Sequence, residues 1–322
     1  MTVSADDPRL YAGEGPRDIA RVGVVGCGLM GAGIAEVCAR AGLEVVVREV
    51  SDAAAASGHE RIAASLNRAV QAGKVAAADL PSTLARLTLT TELRALAGCD
   101  LVIEAATENA AVKAALFTEL DTVVRRPDAI LATNTSSLPV AEVARAVTRP
   151  GQVIGLHFFN PAQVQPLVEL VPSLLTEPDT VTRARAFITE GLGKTAIAGP
   201  DRSGFVVNAL LVPYLLSAIR MLEAGHATAQ DIDTGMTLGC AHPMGPLRLA
   251  DLIGLDTLLS IAEVMHGEYA EPQYAAPPLL RRMTAAGLLG RKTSRGFYDY
   301  QARGAGGVHA SGAAISTGSG RP

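Results

Sequence analysis

A histidine and a carboxylate, each alone in an apolar run, are the residues of this sequence best suited to move a proton. His157 interrupts Val153-Ile154-Gly155-Leu156-His157-Phe158-Phe159, which Asn160-Pro161 ends. Glu169 interrupts Pro166-Leu167-Val168-Glu169-Leu170-Val171, which Pro172 ends. Two apolar runs joined by a short proline-containing link can fold back as neighbouring strands. A carboxylate buried in such a run needs a partner, and the imidazole is the nearest one available. A carboxylate on one ring nitrogen fixes the tautomer and raises basicity at the other, which suits a general base. A structural ion pair satisfies the same pattern, and these two residues alone do not choose between the readings.

The elements that must position such a pair begin at Arg21-Val22-Gly23-Val24-Val25, a short β-branched run. Gly26-Cys27-Gly28-Leu29-Met30-Gly31 follows, then Ala32 to Ala41, rich in helix formers and closed by Gly42, then a strand from Leu43 to Val47 ending at Arg48-Glu49. Gly26, Gly28 and Gly31 satisfy G-x-G-x-x-G in the context it requires: a strand before, a helix after, and an acid beyond the second strand. Gly26 permits the turn, Gly28 lets a pyrophosphate approach the backbone, and Gly31 lets the helix pack on the sheet, with Leu29 and Met30 completing the cofactor-binding turn. The helix N-terminus faces the phosphates. Glu49 accepts the adenosine ribose hydroxyls and disfavours a 2′-phosphate, so the cofactor reads as NAD; adjacent Arg48 keeps NADP open.

Further along, Asp52 to Gln71 reads as an amphipathic helix with a partner around Leu80 to Leu87. Asp100 to Glu104 and Ala129 to Ala132 are core strands, Leu138 to Val147 is a helix, and a strand near Thr195-Ala196-Ile197 ends the α/β region. From Gly204 the texture turns helical, with Val206 to Ala224, Leu252 to Met265 and Pro278 to Ala286 and no alternating strand. The fold class is therefore α/β: a flexible N-terminus (1–18), a Rossmann-type dinucleotide-binding domain (19–200), an all-helical C-terminal domain (201–301) for substrate and dimer contacts, and a disordered Gly, Ala and Ser-rich tail (302–322).

Two polar clusters lie where ligands bind. Asn134-Thr135-Ser136-Ser137 follows a core strand; Ser136 or Ser137 can cap the next helix while the other faces a ligand. Asn208 stands alone in Gly204-Phe205-Val206-Val207-Asn208-Ala209-Leu210-Leu211. It reads either as a satisfied buried amide or as a wall of a cleft between the domains.

Composition narrows the partners. Of 322 residues 48% are apolar and 19% charged, enough for a sizeable core, and the net charge of −4 offers no basic field for nucleic acid or an anionic membrane. No apolar run reaches bilayer length and the first residues are polar, so the expectation is a cytoplasmic protein with no membrane association. Cys27, Cys38, Cys99 and Cys240 lack C-x-x-C spacing, which argues against a metal site. Lysine occurs only at Lys74, Lys113, Lys194 and Lys292, so a lysine at a motif position carries weight.

With these residues in view the chain resembles the 3-hydroxyacyl-CoA dehydrogenases, in particular the short bacterial 3-hydroxybutyryl-CoA dehydrogenase type. The likeness runs from Val22 to Tyr300 through Gly26 to Gly33, Asp100 to Ala105, Glu108-Asn109 with Lys113, Asn134 to Leu138, Gly155 to Pro161, Pro166 to Leu170, and Gly204-Phe205 with Asn208. It continues through Asp231 to Asp233, Pro243 to Pro246, Gly254 to Asp256, and Lys292-Thr293 with Gly296 to Tyr298. It implies His157 as general base, Glu169 as its orienting partner, and Ser136 and Asn208 as contacts to the reacting end of an acyl group. It places Glu108, Lys113, Ser136, Asn160 and Lys292 around the cofactor and Ser65 against the coenzyme A moiety. The family's lysine near Ala72 is unmatched, with Lys74 close by; Ala209, Ser217 and Thr133 stand for its arginine, glutamate and serine. The implied activity is NAD-linked interconversion of (S)-3-hydroxyacyl-CoA and 3-oxoacyl-CoA by a homodimer. Alternatives are a carrier-protein-bound hydroxyacyl group, a free hydroxy acid, or a non-catalytic dinucleotide-binding protein.

Overall fold

The structure, a computed structural model, describes residues 19–301, so the expectations for 1–18 and 302–322 lie outside the described residues. It forms two compact units that divide between Phe205 and Val206.

In the first unit eight strands form one sheet: β1 (Arg21–Val25), β2 (Glu44–Arg48), β3 (Leu87–Thr90), β4 (Leu101–Glu104), β5 (Ile130–Thr133), β6 (Val153–Phe158), β7 (Leu167–Pro172) and β8 (Thr195–Ala198). Their order is β3-β2-β1-β4-β5-β6-β7-β8. Every neighbouring pair is parallel except β6 and β7, which run antiparallel and set His157 directly opposite Glu169. This is the doubly wound order, with its reversal at β1 and β4, where ligands bind outside the carboxyl ends of the strands.

The period-2 alternation of the strands sorts side chains onto two buried faces. Val22, Val24, Val45, Val47, Leu101, Ile103, Ile130, Ala132, Ile154, Leu156 and Phe158 pack with α1 (Leu29–Arg40), α2 (Asp52–Gln71) and α6 (Pro178–Ala186). Val25, Val46, Val102, Leu131, Val153 and Val171 pack with α4 (Ala110–Val123) and α5 (Val140–Ala144); α3 (Asp79–Ala85) lies between α2 and β3 in the chain. Burial on both faces explains why these strands read as near-continuous apolar runs. Glu104, Thr133, His157 and Glu169 share strand parity with the second set, so the polar residues gather on the α4–α5 face.

Two expectations need correction, and one strand went unread. The region Leu80 to Leu87 holds α3 and then an edge strand, β3, whose four residues Leu87-Thr88-Leu89-Thr90 are too short to declare themselves. The helix expected over Leu138 to Val147 is only α5, and neither Ser136 nor Ser137 caps it. Instead the Asp201 carboxylate accepts Val140 N–H at 2.6 Å and Ala141 N–H at 2.8 Å, because both serines are drawn into another set of hydrogen bonds. The stretch Leu252 to Met265 is broken at Gly254, whose φ of 102° no helix accommodates.

In the second unit, α7 (Val207–Glu223), α8 (Ala229–Thr234), α9 (Pro246–Ile253), α10 (Leu255–Tyr269) and α11 (Pro278–Ala285) bury Leu215, Leu216, Leu247, Leu258, Met265 and Leu280 in a common core. Two buried carboxylates tie the end of the described chain to this core. Asp233 accepts the Leu247 N–H and the Tyr298 hydroxyl, each at 2.8 Å, and Asp251 accepts the N–H groups of Phe297 and Tyr298 at 2.9 and 3.0 Å. Burial pushes the Asp251 carboxyl above the usual carboxylate range, against the pull of those donors.

Candidate active site

The chain turns sharply after β1. Gly26 has φ 90°, and an added Cβ there would meet the Ala105 backbone at 2.8 Å. A Cβ on Gly31 would collide with the Gly26 carbonyl, so α1 packs against the turn only because residue 31 is glycine. Around Gly28, by contrast, an added Cβ meets nothing within 4 Å. The first turn of α1 carries no acidic residue and no side-chain cap, which leaves its N–H groups for an anionic ligand. Leu29 is largely exposed and Met30 half-buried beside it. Just past β2, Glu49 accepts the Cys27 N–H at 2.5 Å and the Val50 N–H at 3.0 Å, which fixes its carboxylate at the edge of the turn. Arg61 of α2 donates to the Cys27 carbonyl at 2.5 Å. Burial, with Glu49 adding to it, raises the Cys27 thiol to about 11. A glycine turn, an uncapped helix start and an acid past the second strand are the parts a dinucleotide requires, and the residues present fit NAD.

At the carboxyl ends of β5 and β6 the serine turn, His157 and Glu169 meet. His157 is 4% exposed and Glu169 is fully buried. His157 Nδ1 lies 2.6 Å from Glu169 Oε2, and His157 Nε2 lies 3.1 Å from Ser136 Oγ. The rings of Phe159 and Phe205 stand 4.6 and 5.4 Å from the imidazole and give it two apolar neighbours. Because Glu169 accepts the Nδ1–H, a neutral His157 presents a lone pair at Nε2. Asn134 Oδ1 accepts the Phe158 N–H at 2.9 Å, which ties the serine turn to the end of β6.

The remaining expected residues are placed as follows. Lys113 is 2% exposed and pairs with Glu104 Oε2 at 2.5 Å and Glu108 Oε2 at 3.4 Å. Glu108 Oε1 accepts the Ser136 N–H at 2.6 Å and the Thr135 hydroxyl at 2.7 Å, so it joins the serine turn. Asn160 is exposed just after β6, and Ser65 on α2 accepts Gln163 Nε2 at 3.1 Å. In the second unit Asn208 is buried in the first turn of α7, and exposed Lys292 pairs with Asp256 at 2.5 Å. Sequence reasoning treated Glu104 only as the end of a strand. Its signal was the one already used for His157 and Glu169, a charge closing the apolar run Leu101-Val102-Ile103.

Comparison with known proteins agrees with this geometry. The family model described as the NAD-binding domain of 3-hydroxyacyl-CoA dehydrogenase matches residues 21–202, and that of its C-terminal domain matches residues 204–300. The chain belongs to the 3-hydroxyacyl-CoA dehydrogenase family. Within this family it is 57% identical over 282 residues to a Mycobacterium tuberculosis 3-hydroxybutyryl-CoA dehydrogenase, covering 88% of this chain and 99% of the relative. The crystal structure of M. tuberculosis FadB2 matches with a TM-score of 0.87 and 57% identity over 88% of this chain and 100% of that one. That of (S)-3-hydroxybutyryl-CoA dehydrogenase from Ralstonia eutropha matches with a TM-score of 0.82 and 45% identity, covering 88% and 100%. The glycine turn and Glu49 thus belong to a dehydrogenase's NAD-binding domain. No helix among the described residues is long and apolar enough to cross a membrane.

Proposed function

We propose that the chain interconverts (S)-3-hydroxybutyryl-CoA and acetoacetyl-CoA, with His157 as general base in oxidation and general acid in reduction. The observation that carries this reading is the position of the imidazole, 2.6 Å from Glu169 on one nitrogen and 3.1 Å from Ser136 on the other. Oxidation of a secondary alcohol removes a hydroxyl proton as hydride leaves the same carbon. NAD, when bound, supplies the hydride acceptor. His157 Nε2 takes the proton, and the buried Glu169 carboxylate stabilises the imidazolium that results. Ser136 holds the substrate oxygen beside Nε2 and donates to it as negative charge develops, and Asn208 is a further contact to the acyl group. In reduction His157 returns the same proton.

The turn from Gly26 to Gly31 binds the pyrophosphate and Glu49 the adenosine ribose, with Asn160 and Lys292 as further cofactor contacts. Ser65 meets the coenzyme A portion of the thioester. The enzyme works as a homodimer, a reading supported by Leu210, Met221 and Leu238, large apolar side chains left exposed on the second unit. Four cysteines without a disulfide suit a cytoplasmic enzyme.

The test is oxidation of NADH and of NADPH with acetoacetyl-CoA, longer 3-oxoacyl-CoA thioesters and carrier-protein-bound analogues. Turnover of acetoacetyl-CoA with NADH at least tenfold more efficient than the other combinations is expected. A preference for the carrier-bound thioester, or no thioester turnover at all, overturns the reading.

A further inference from the structure

We propose that Arg61 of α2 is a positioning residue for the cofactor: it holds the Cys27 carbonyl while Glu49 holds the Cys27 N–H, and together they set the turn that receives the pyrophosphate. This rests on the reading given above that this turn and Glu49 bind the dinucleotide.

Cys27 is the middle residue of Gly26-Cys27-Gly28 and is buried. Two consecutive peptide units meet at it, and side chains of opposite charge hold one each. Glu49 Oε1, just past β2, accepts the Cys27 N–H at 2.5 Å. Arg61 Nη1 donates to the Cys27 carbonyl, also at 2.5 Å. Hydrogen bonds with one ionised partner are the strong class. A trans peptide is planar, with its C=O and N–H pointing in opposite directions. By drawing the Cys27 carbonyl toward α2, Arg61 therefore turns the Gly28 N–H away from α2. Gly28 stands at the start of α1, where an added Cβ meets nothing within 4 Å and no side chain caps the helix. An anion seated there meets a Gly28 N–H whose direction the guanidinium has set. Burial does most to raise the Cys27 thiol, but Glu49 adds to it and Arg61 opposes it, so both charges stand near this one residue.

The helix delivers Arg61 to a fixed place. The Ser51 hydroxyl caps α2 by accepting the Ala54 N–H at 3.2 Å, and Ile62 and Leu66 are fully buried in the core of the first unit. Gly58, three residues before Arg61, is buried against Cys27. An added Cβ there would stand 2.6 Å from Cys27 Sγ and 2.7 Å from Cys27 Cβ. Residues three apart share a helix face, so the close approach that glycine permits at 58 brings Arg61 within reach of the Cys27 carbonyl. The other terminal nitrogen of Arg61 faces the Ser57 hydroxyl at 3.5 Å, which keeps the guanidinium over its own helix. Exposed on α2, Arg61 reads in the sequence as one more solvated charge of an amphipathic helix.

The test compares Arg61→Met, Arg61→Ala, Arg61→Lys and Glu49→Ala. NADH affinity is read by fluorescence titration, kcat with acetoacetyl-CoA at saturating NADH, and the unfolding midpoint on the same preparations. Arg61→Met keeps the apolar stem and removes the donor, so it separates the hydrogen bond from packing. It should weaken NADH about tenfold, as loss of one charge-assisted bond implies, and Arg61→Ala should do the same. At saturating NADH kcat should stay within about twofold, because His157 and Ser136 are untouched. Arg61→Lys keeps a cationic donor, and the carbonyl uses a single N–H, so its NADH affinity should lie within about threefold of wild type.

NADH affinity within twofold of wild type in Arg61→Met overturns the proposal, and a lowered unfolding midpoint beside it makes Arg61 a brace of α2 alone. An Arg61→Lys variant as weak as Arg61→Met overturns it too, since a donor at that place would then not suffice. So does a tenfold loss of kcat with NADH affinity intact. Should Arg61→Ala fail to fold, Arg61→Met and Arg61→Lys decide. Normal NADH binding in Glu49→Ala removes the reading on which the proposal rests. A weakened Glu49→Ala beside a normal Arg61→Met sinks this proposal and leaves that reading standing.

Discussion

At the scale of single residues the decisive feature is that one imidazole has two partners of different kinds in an apolar setting. Replacing His157 by Gln keeps a hydrogen-bonding side chain but no base, and should lower turnover by about two to four orders of magnitude while NADH affinity changes little. More than half of wild-type turnover in that variant would remove His157 from the mechanism. Glu169→Gln separates catalysis from bracing. The amide preserves volume and part of the hydrogen bonding but lacks the charge that stabilises an imidazolium, so a folded variant with turnover down at least tenfold is expected. Lower thermal stability with normal turnover per folded molecule would make Glu169 a brace. Glu49→Ala tests the cofactor end. Losing a carboxylate that bonds ribose hydroxyls forfeits roughly 1.5–3 kcal/mol, about tenfold or more in NADH affinity, while NADPH, freed of repulsion, should weaken less. Fluorescence titration with both nucleotides reads this directly, and equal weakening contradicts the assignment.

At the scale of elements, what was legible in the sequence was whatever repeats or stands out locally. The β1 run and its glycines announce a dinucleotide turn because tight backbone geometry demands glycine at Gly26 and Gly31. His157 and Glu169 announce themselves because a charge in an apolar run is costly to bury alone. The bracing of those residues was not legible, because it depends on contacts distant in the chain. Asp201 caps α5 from some sixty residues away, so local rules pointed to Ser136 and Ser137 instead. Glu104 and Thr133 meet only because β4 and β5 pair in that register. Edge strand β3 carries too few residues for its alternation to register. The remote cap gives a prediction of its own. Asp201→Ala strips two N–H groups at the start of α5 of their acceptor and should cost about 1–2 kcal/mol, read as a lower midpoint in urea. Asp201→Asn keeps one acceptor oxygen in place of two and should recover only part of it, and an unchanged midpoint in Asp201→Ala would mean that water replaces the carboxylate without loss.

At the scale of the whole molecule the cysteines report on the two units separately. Cys27, Cys38 and Cys99 are buried in the first unit, whereas Cys240 is exposed in the second. Burial raises the thiols of Cys27 and Cys99 to about 11 and that of Cys38 to about 12. At pH 8 a thiol reagent should therefore modify Cys240 at once and the other three only as the first unit opens. The sign of the pH dependence follows. An unfolded thiol ionises near 8.5, so between there and the raised folded values the unfolded state loses protons that the folded state keeps. That stabilising contribution is intact below about pH 8.5 and fades above it. Slow labelling should accordingly speed up as pH rises through 9 and 10, beyond the increase in thiolate itself. Cofactor acts in the opposite direction. NADH binds the folded first unit, and at 100 times its dissociation constant contributes about 2.7 kcal/mol, so labelling of Cys27, Cys38 and Cys99 through global opening should slow about 100-fold. Cys240, open from the start, should label at its original rate. Mass spectrometry of the four cysteine peptides against time, with and without NADH, measures this. If NADH leaves the three buried cysteines unprotected at saturating concentration, their labelling does not pass through global opening of the first unit.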